Sequence, residues 1–304
     1  MATIIVFDRY GPPDVLHPVE IPDPVAGPGE IRIRVRAAGV QPFDCATRRG
    51  DFAQYSPLRF PARLGNEAAG VIDQAGDGVR RFAAGQEVIA FMTMLGYADT
   101  VVVPASHAAA KPAAMPWPEA GVLSASGQTA DTALDELHVE PGDTVLIHAA
   151  AGGVGSFAVQ LARARGATVI GTASPRNHDY LRTLGAIPVS YEPGLEDRAR
   201  AAAPDGIDAV LDGIGGDALD ASMKLVADTT RIVTIADWTA PARLGIRRIG
   251  TDRSADRLAS LIRRYAEGGL TIPVSGTFPL ASAVDAHREA ETGHVRGKIA
   301  LTAD

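Results

Sequence analysis

The sequence predicts an α/β protein in which a doubly wound parallel sheet is joined to a β-rich part. Three observations carry this expectation. Residues 31–37, Ile-Arg-Ile-Arg-Val-Arg-Ala, alternate apolar and basic side chains, the period of a strand with one buried and one wet face. From residue 145 onward, short runs that are apolar along their whole length recur between helix-like segments, as a parallel sheet covered on both faces requires. Between the first of those runs and its helix lies the turn Ala149-Ala150-Ala151-Gly152-Gly153-Val154-Gly155.

The elements come in chain order. The N-terminus meets Asp8 and Arg9 too soon for a signal-peptide core and predicts a first strand, with no export implied. Strands are expected at 70–72, 87–91 and 97–103, separated by Gly and Pro turns at 26–29, 76–78 and 83–85. Pro116-Trp117-Pro118 marks a change of texture. A helix is predicted over 119–137, and Pro141-Gly142-Asp143 separates it from the next strand. Apolar strands at 145–148, 168–172, 209–211 and 231–235 then alternate with helices at 155–165, 176–184, 194–203 and 217–225. A helix at 254–267, a strand at 271–278, a helix at 280–292 and a strand at 297–301 complete the chain, with no repeat or low-complexity tail.

At 304 residues the chain is long enough for about two domains of roughly 150 residues each. Its 29 Lys and Arg against 36 Asp and Glu give a net charge of −7, which argues against nucleic-acid binding, since that needs a clustered excess of cations. The single cysteine, Cys45, excludes an intrachain disulfide and a Cys-rich zinc lobe. A reducing, cytoplasmic setting and a small-molecule substrate are expected, with no membrane partner.

The glycine turn has a specific physical use. Backbone N–H groups at a helix N-terminus attract a pyrophosphate, and a Cβ at Gly152 or Gly153 would obstruct the approach. Gly155 lets the helix close on the sheet. Ala150 stands where the usual pattern has its first glycine, so the bare motif also fits a glycine turn in any α/β fold. The next strand ends in Ala173-Ser174-Pro175-Arg176-Asn177, with no carboxylate to bind a ribose 2′-OH. A hydroxyl followed by a guanidinium suits a 2′-phosphate, and NADPH is the expected cofactor. Arg176 also reads as a solvated residue at a helix start.

Several segments together carry a family resemblance: Gly39-Val40-Gln41-Pro42-Phe43-Asp44 with Arg49-Gly50, Leu64-Gly65-Asn66-Glu67-Ala68-Ala69-Gly70, Gly96-Tyr97-Ala98-Asp99, Gly127-Gln128-Thr129-Ala130, the turn at 150–155, Leu184-Gly185-Ala186, Asp212-Gly213-Ile214-Gly215-Gly216 and Gly293-His294-Val295-Arg296-Gly297-Lys298-Ile299. The chain resembles the zinc-free medium-chain dehydrogenase/reductase superfamily, nearest its NADPH:quinone oxidoreductase group. The resemblance implies a GroES-like catalytic domain made of residues 1–118 and 270–304, with a Rossmann NADPH-binding domain, 119–269, inserted in it. The cofactor is expected in the cleft between them. A homodimer is implied as well, paired through an edge strand for which residues 246–249 are the candidate.

The same resemblance implies site residues. Gln41 and Thr129 are expected to face the nicotinamide or a substrate oxygen. Ser174, Arg176 and Asn177 would hold the 2′-phosphate, with Tyr191 near the adenosine phosphate. Ala151, Gly152, Gly153, Val154, Gly155, Asp212, Ile235, Phe278 and Lys298 complete the expected cofactor contacts. The zinc-ligand cysteine and histidine of related alcohol dehydrogenases fall at Gln41 and Asn66, neither of which offers thiolate or imidazole, so no metal is expected.

Without a Lewis acid, a conjugated acceptor is the expected substrate, because hydride addition to a quinone or enone places the resulting charge on an oxygen that ordinary donors can hold. Related enoyl thioester reductases use a tyrosine soon after the Arg-x-Gly segment to protonate the product. Phe52 stands there and Tyr55 three residues on, leaving Tyr55 or water as the donor. Phe43, Phe52, Tyr55, Phe91, Met94 and Trp238 are the expected pocket lining, and each equally reads as core. Three functions stay open: a quinone or enone reductase, an enoyl thioester or tailoring reductase of a polyketide-like pathway, and an NADPH-binding sensor or structural protein with little turnover.

Overall fold

The structure is a computed structural model that describes residues 1–303. The chain runs β1 (Ala2–Phe7), β2 (His17–Ile21), β3 (Glu30–Val40), α1 (Pro42–Arg49), β4 (Ala62–Arg63), β5 (Glu67–Ala75), β6 (Glu87–Phe91), β7 (Thr100–Pro104) and β8 (Ala108–Ala110) before the long α2 (Trp117–Glu136). Then come β9 (Thr144–Ile147), α3 (Gly153–Ala164), β10 (Thr168–Thr172), α4 (His178–Thr183), β11 (Ile187–Val189), α5 (Leu195–Ala202), β12 (Ala209–Asp212), α6 (Asp217–Ser222), β13 (Ile232–Thr234), α7 (Ala240–Leu244) and β14 (Arg247–Arg248). The chain ends with α8 (Ala255–Ala266), β15 (Val274–Pro279), α9 (Ala283–Glu291) and β16 (Lys298–Thr302). Two compact units result: Met1–Ala125 with Arg253–Ala266 and Ile272–Asp304, and Ser126–Asp252 with Glu267–Thr271.

The first unit is β-rich. Its large sheet runs β15-β16-β3-β5-β6-β8, with β7 also pairing on β3, and a small sheet runs β2-β1-β4. β3 buries Ile31, Ile33 and Val35 and leaves the arginines between them partly exposed, as the alternation requires. Those arginines are not idle: Arg32 and Arg34 both pair with Asp73 at 2.7 Å. One core gathers Ile31, Ile33, Ile72, Val88 and Val101, and a second gathers Phe7, Leu64, Tyr97, Leu280 and Leu301. α8 lies in this unit, on β8, and buries Leu258, Leu261 and Ile262 at helical spacing.

α1 is an element that periodicity does not announce. Pro42 supplies a preset φ at its first position, Asp44 sits in its first turn and Arg48 and Arg49 in its last, and Gly50 ends it at φ 92°.

The second unit is a six-stranded parallel sheet in the order β11-β10-β9-β12-β13-β14. Its central strands β9, β10 and β12 are buried almost throughout. The core includes Leu146, Ile170, Val210, Leu219 and Ile232. The helix expected over 176–184 is split: a single tight turn at Pro175–Asn177 precedes α4, and the backbone leaves the helical region at Asn177, φ −102° and ψ 1°. The strand order changes direction at β9, whose neighbours β10 and β12 lie on opposite sides. In doubly wound sheets, ligands bind at the carboxyl ends of strands flanking such a switch point.

Candidate active site

In the second unit, β9 delivers the chain to this point, where Ala149 adopts φ 52°, a left-handed conformation costly for a residue with a Cβ. Ala149 O accepts from Gly152 N at 2.9 Å, and Ala150 N donates to Thr172 O at 3.0 Å, so the turn is tied both to itself and to β10. α3 starts at Gly153, and Ser156 is the first residue to bond back, to Gly152 O at 2.9 Å. The N–H groups of Gly153, Val154 and Gly155 therefore face out of the helix N-terminus.

Two glycines differ sharply in what they tolerate. A Cβ on Gly155 would stand 2.3 Å from Ala149 O and 2.6 Å from Ala150 Cα, whereas one on Gly152 would meet only Ala149 O, at 3.2 Å. Gly155 is thus a packing requirement. The arrangement fits a pyrophosphate, which needs close, unencumbered backbone donors at a helix N-terminus.

β10 ends beside this turn. Ser174 is half-buried, Asn177 Nδ2 lies 3.5 Å from Ser174 Oγ, and Arg176 is exposed. Tyr191, just past β11, is 56% exposed. On the other side, Asp212 at the end of β12 is fully buried, accepting from Ile214 N (3.1 Å), Gly215 N (2.9 Å) and Thr234 Oγ1 (2.6 Å). Its carboxylate is spent on holding the ends of β12 and β13. Ile235 follows β13, half-buried, its N–H on Asp212 O at 3.0 Å. Thr129 Oγ1 lies 2.6 Å from Thr251 Oγ1.

His148, buried at the end of β9, ties three elements together. Its Nδ1 lies 3.1 Å from Thr172 Oγ1 and its Nε2 2.8 Å from Ser222 Oγ. Because Ser222 Oγ donates to Ala218 O (2.8 Å), it accepts from the ring, which places the proton on Nε2. Burial draws the pKa down to about 4, so the ring is neutral.

In the first unit, Gln41 begins α1 between two buried carboxylates. Its backbone N–H donates to Asp44 Oδ2 at 3.0 Å, and its Nε2 donates to Glu67 Oε1 at 3.1 Å. Glu67 Oε2 accepts from Ala125 N at 2.7 Å, and Lys298 Nζ lies 3.3 Å from Glu67 Oε1. Lys298 is itself buried, with Val40 O 3.5 Å away. Sequence reasoning quotes Glu67 only as part of a motif and misses its place as the acceptor shared by Gln41, Ala125 and Lys298.

The zinc-ligand positions do not fit a zinc ion. Gln41 is engaged as described, and the Asn66 amide is used at both ends, donating to Asp44 Oδ1 (3.2 Å) and accepting from Met94 N (3.3 Å). Amides are poor zinc ligands beside thiolate and imidazole. Among the described residues no group of three or more His, Cys, Asp and Glu is placed to hold a metal.

Behind Asp44 runs a buried polar chain. Tyr97 OH donates to Asp44 Oδ2 (3.2 Å) and lies 2.9 Å from His287 Nε2, and His287 Nδ1 lies 3.5 Å from Cys45 Sγ. Burial pushes the Asp44 carboxyl up to about 7 against the pull of the Gly65 and Gln41 N–H groups and the Lys298 charge. It pushes the Cys45 thiol up to about 12 and His287 down to about 3.

Of the aromatics, Phe43 and Phe52 stack at 5.3 Å, with Phe43 43% and Tyr55 59% exposed. Phe91 instead lies buried against His107 at 4.5 Å, and Phe278 packs on the core. Met94 takes φ 55°. Trp238 belongs to the second unit, under the guanidinium of Arg248.

Comparison with known proteins bears on the fold and the family. A family model described as the alcohol dehydrogenase GroES-like domain matches residues 27–113, and one described as zinc-binding dehydrogenase matches residues 184–301. The chain is 34% identical over 302 residues to the pikromycin polyketide synthase component PikAII of Streptomyces venezuelae, covering 92% of this chain but only 8% of that much longer protein. The quinone oxidoreductase from Coxiella burnetii superposes with a TM-score of 0.90 at 33% identity, over 100% of this chain and 99% of that one. The Escherichia coli quinone oxidoreductase complexed with NADPH superposes with a TM-score of 0.88 at 26% identity, over 99% and 100%. No helix among the described residues is long and apolar enough to cross a membrane. With both family models matching, a β-rich first unit and a doubly wound second one, the chain belongs to the medium-chain dehydrogenase/reductase superfamily, as a quinone oxidoreductase-like member with amides at its zinc-ligand positions.

Proposed function

We propose that the chain is an NADPH-dependent reductase of quinones or α,β-unsaturated carbonyl compounds that works without a metal. The observation that carries this reading is the pair of amides at Gln41 and Asn66, already committed to hydrogen bonds where a metal would need thiolate and imidazole. The end of β10, with Ser174, Arg176 and Asn177 and no carboxylate, supports NADPH over NADH.

Bound NADPH supplies the hydride. The N–H groups of Gly153, Val154 and Gly155 hold its pyrophosphate, with Ala151 and Gly152 giving the backbone room to approach. Arg176 and Ser174 hold the 2′-phosphate, Asn177 orients Ser174, and Tyr191 borders the adenosine side. Ile235 and the backbone above Asp212 flank the cofactor, as does Phe278, while Lys298, expected there too, is buried on Glu67 and acts through the carboxylate that holds Gln41. Gln41, held by Glu67, and Thr129 orient the carbonyl oxygen. Tyr55, exposed beside the Phe43–Phe52 stack, delivers the proton.

A second reading, an enoyl thioester reductase, is favoured by the 34% identity to a polyketide synthase component. One assay separates them. NADPH oxidation is followed with a neutral quinone, an enone and an enoyl thioester. Quinone and enone turnover supports the first reading and thioester turnover alone the second. Tight NADPH binding with no acceptor consumed sinks both and leaves a sensor.

A further inference from the structure

In the second unit, Arg198 on α5 is bonded to main chain where its neighbours are bonded to acids. Arg200 faces Glu196 and Asp197, and Arg182 pairs with Asp179 at 2.6 Å. Arg198 Nε and Nη2 instead both donate to Ser190 O, at 3.2 and 3.1 Å, while Nη1 donates to Pro193 O at 3.0 Å and Nη2 also reaches Glu192 O. These three carbonyls bracket Tyr191, whose own side chain is 56% exposed. A guanidinium presents its donors in one rigid plane, so carbonyls that converge on it are held in one arrangement.

The loop so clamped lies where the sheet delivers the cofactor turn. β11 runs parallel to β10 with Val189 level with Thr172, and Ala173 N donates to Val189 O at 3.0 Å. Ser174 and Tyr191 each follow two residues beyond that pair, so both leave the sheet at its carboxyl end, side by side. Gly194 turns the chain into α5 at φ 88°, and a Cβ there would stand 3.2 Å from Arg198 Nη1. That turn brings Arg198 back to the loop that precedes its helix. Glu192 and Pro193 are exposed, so water can satisfy their carbonyls when the guanidinium is removed. The clamp therefore fixes a conformation more than it adds stability, and a side chain fixed beforehand binds with less loss of freedom.

We propose that Arg198 is a positioning residue for the cofactor: by holding Ser190, Glu192 and Pro193 it presets Tyr191 on the adenosine side of NADPH, and it touches neither the cofactor nor the acceptor itself. This rests on the reading of the chain as an NADPH-dependent reductase. It places one determinant of cofactor affinity on a helix behind the binding surface.

The test is a double-mutant cycle on NADPH binding, read as dissociation constants by fluorescence titration in wild type, Arg198→Gln, Arg198→Lys, Tyr191→Ala and the Tyr191→Ala/Arg198→Gln double variant. Arg198→Gln is expected to weaken NADPH about fivefold, the cost of ordering the loop on binding. Arg198→Lys restores part of the loss, since an ammonium keeps the charge and some donors without the planar fork. In the Tyr191→Ala background, Arg198→Gln is expected to add less than about twofold, because the side chain it positions is already gone. Hydrogen exchange at the Tyr191 and Glu192 amides is expected to quicken in Arg198→Gln and to slow again in Arg198→Lys. An unchanged dissociation constant in Arg198→Gln overturns the proposal, as does a Tyr191→Ala variant that binds like wild type. So does a full fivefold loss repeated in the Tyr191→Ala background, which would make Arg198 a structural residue acting elsewhere. Should Arg198→Gln fail to fold, Arg198→Lys completes the same cycle. In any of these cases wild type still binds NADPH and the functional reading stands; a wild type that binds none fails that reading, and the proposal falls with it.

Discussion

Lys298 and Glu67 form an ion pair 3.3 Å long that is almost wholly out of water, with 3% and 0% of the two side chains exposed. The same carboxylate accepts from Gln41 Nε2 and from Ala125 N. One acidic group thus neutralises a buried ammonium and fixes the amide proposed to meet the substrate. Removing one partner leaves the other charge buried and unpaired, which costs about 3–5 kcal/mol, whereas replacing both by apolar groups of similar volume is often near neutral. Glu67→Leu and Lys298→Met are each expected to lose stability in that range in urea denaturation, and the double variant to regain most of it. Additive losses in the double variant would show that the pair is not coupled.

The buried acid and the two buried histidines predict opposing pH dependences. Asp44 is pushed up to about 7, while an unfolded aspartate titrates near ~3.9. Between those values the folded chain keeps a proton that the unfolded chain has released, so this group's contribution falls as pH rises. His287 and His148, drawn down to about 3 and about 4, act the other way: below ~6.5 the unfolded chain binds the proton that the fold refuses, so stability rises with pH. Asp44→Asn removes that titration and also costs hydrogen bonds at every pH, so the slope with pH, not the level, is the readout. The variant's stability is expected to rise more steeply than wild type between pH ~4.5 and ~6.5, by about one proton or ~1.4 kcal/mol per pH unit. Denaturation midpoints across that window check this, and parallel slopes would refute it.

The glycine turn predicts a contrast between neighbours. A Cβ at Gly155 meets Ala149 O at 2.3 Å, against backbone already held in a left-handed conformation at Ala149, whereas at Gly152 the nearest atom is 3.2 Å away. Gly155→Ala is expected to destabilise by about 1–3 kcal/mol and to weaken NADPH binding at least tenfold, because the turn must shift. Gly152→Ala should leave stability within about 0.5 kcal/mol and act on binding alone, through the approach of the pyrophosphate. Thermal unfolding with fluorescence titration of NADPH separates the two effects.

How much of the structure is legible in the sequence depends on the range of the contacts. The alternation over 31–37 and the apolar runs of β9, β10 and β12 are local patterns, and the structure builds them as read. The start of the segment at Pro175 is also within reach, since proline suits a first helical position, whereas the break at Asn177 has no local signal. α1 hides because its eight residues mix buried and polar positions, and its signals are a proline at one end and a glycine at the other. Glu67, Gln41 and Lys298, like Asp44, Tyr97 and His287, come from distant parts of the chain. No spacing in one sequence records that a carboxylate and an ammonium will be buried against each other. Asp212 illustrates the converse: its position in a motif suggests a cofactor contact, while its carboxylate is occupied by Ile214, Gly215 and Thr234.

The choice of cofactor turns on the exposed end of β10. Arg176 is exposed, in a tight turn that begins after Ser174, with Asn177 beside that serine. An exposed guanidinium keeps its fork geometry, and a 2′-phosphate offers it a charged bidentate partner that a 2′-hydroxyl cannot. A carboxylate at the same place would repel the phosphate and accept from the hydroxyl instead. Arg176→Glu is therefore expected to weaken NADPH by about 2–4 kcal/mol, the loss of one charge-assisted pair plus a new repulsion, and to leave NADH within about threefold or improve it. Arg176→Ala should fall between, losing the attraction alone. Dissociation constants for both cofactors across the three proteins decide it. Equal loss for NADPH and NADH would mean that Arg176 acts on the turn and not on the phosphate.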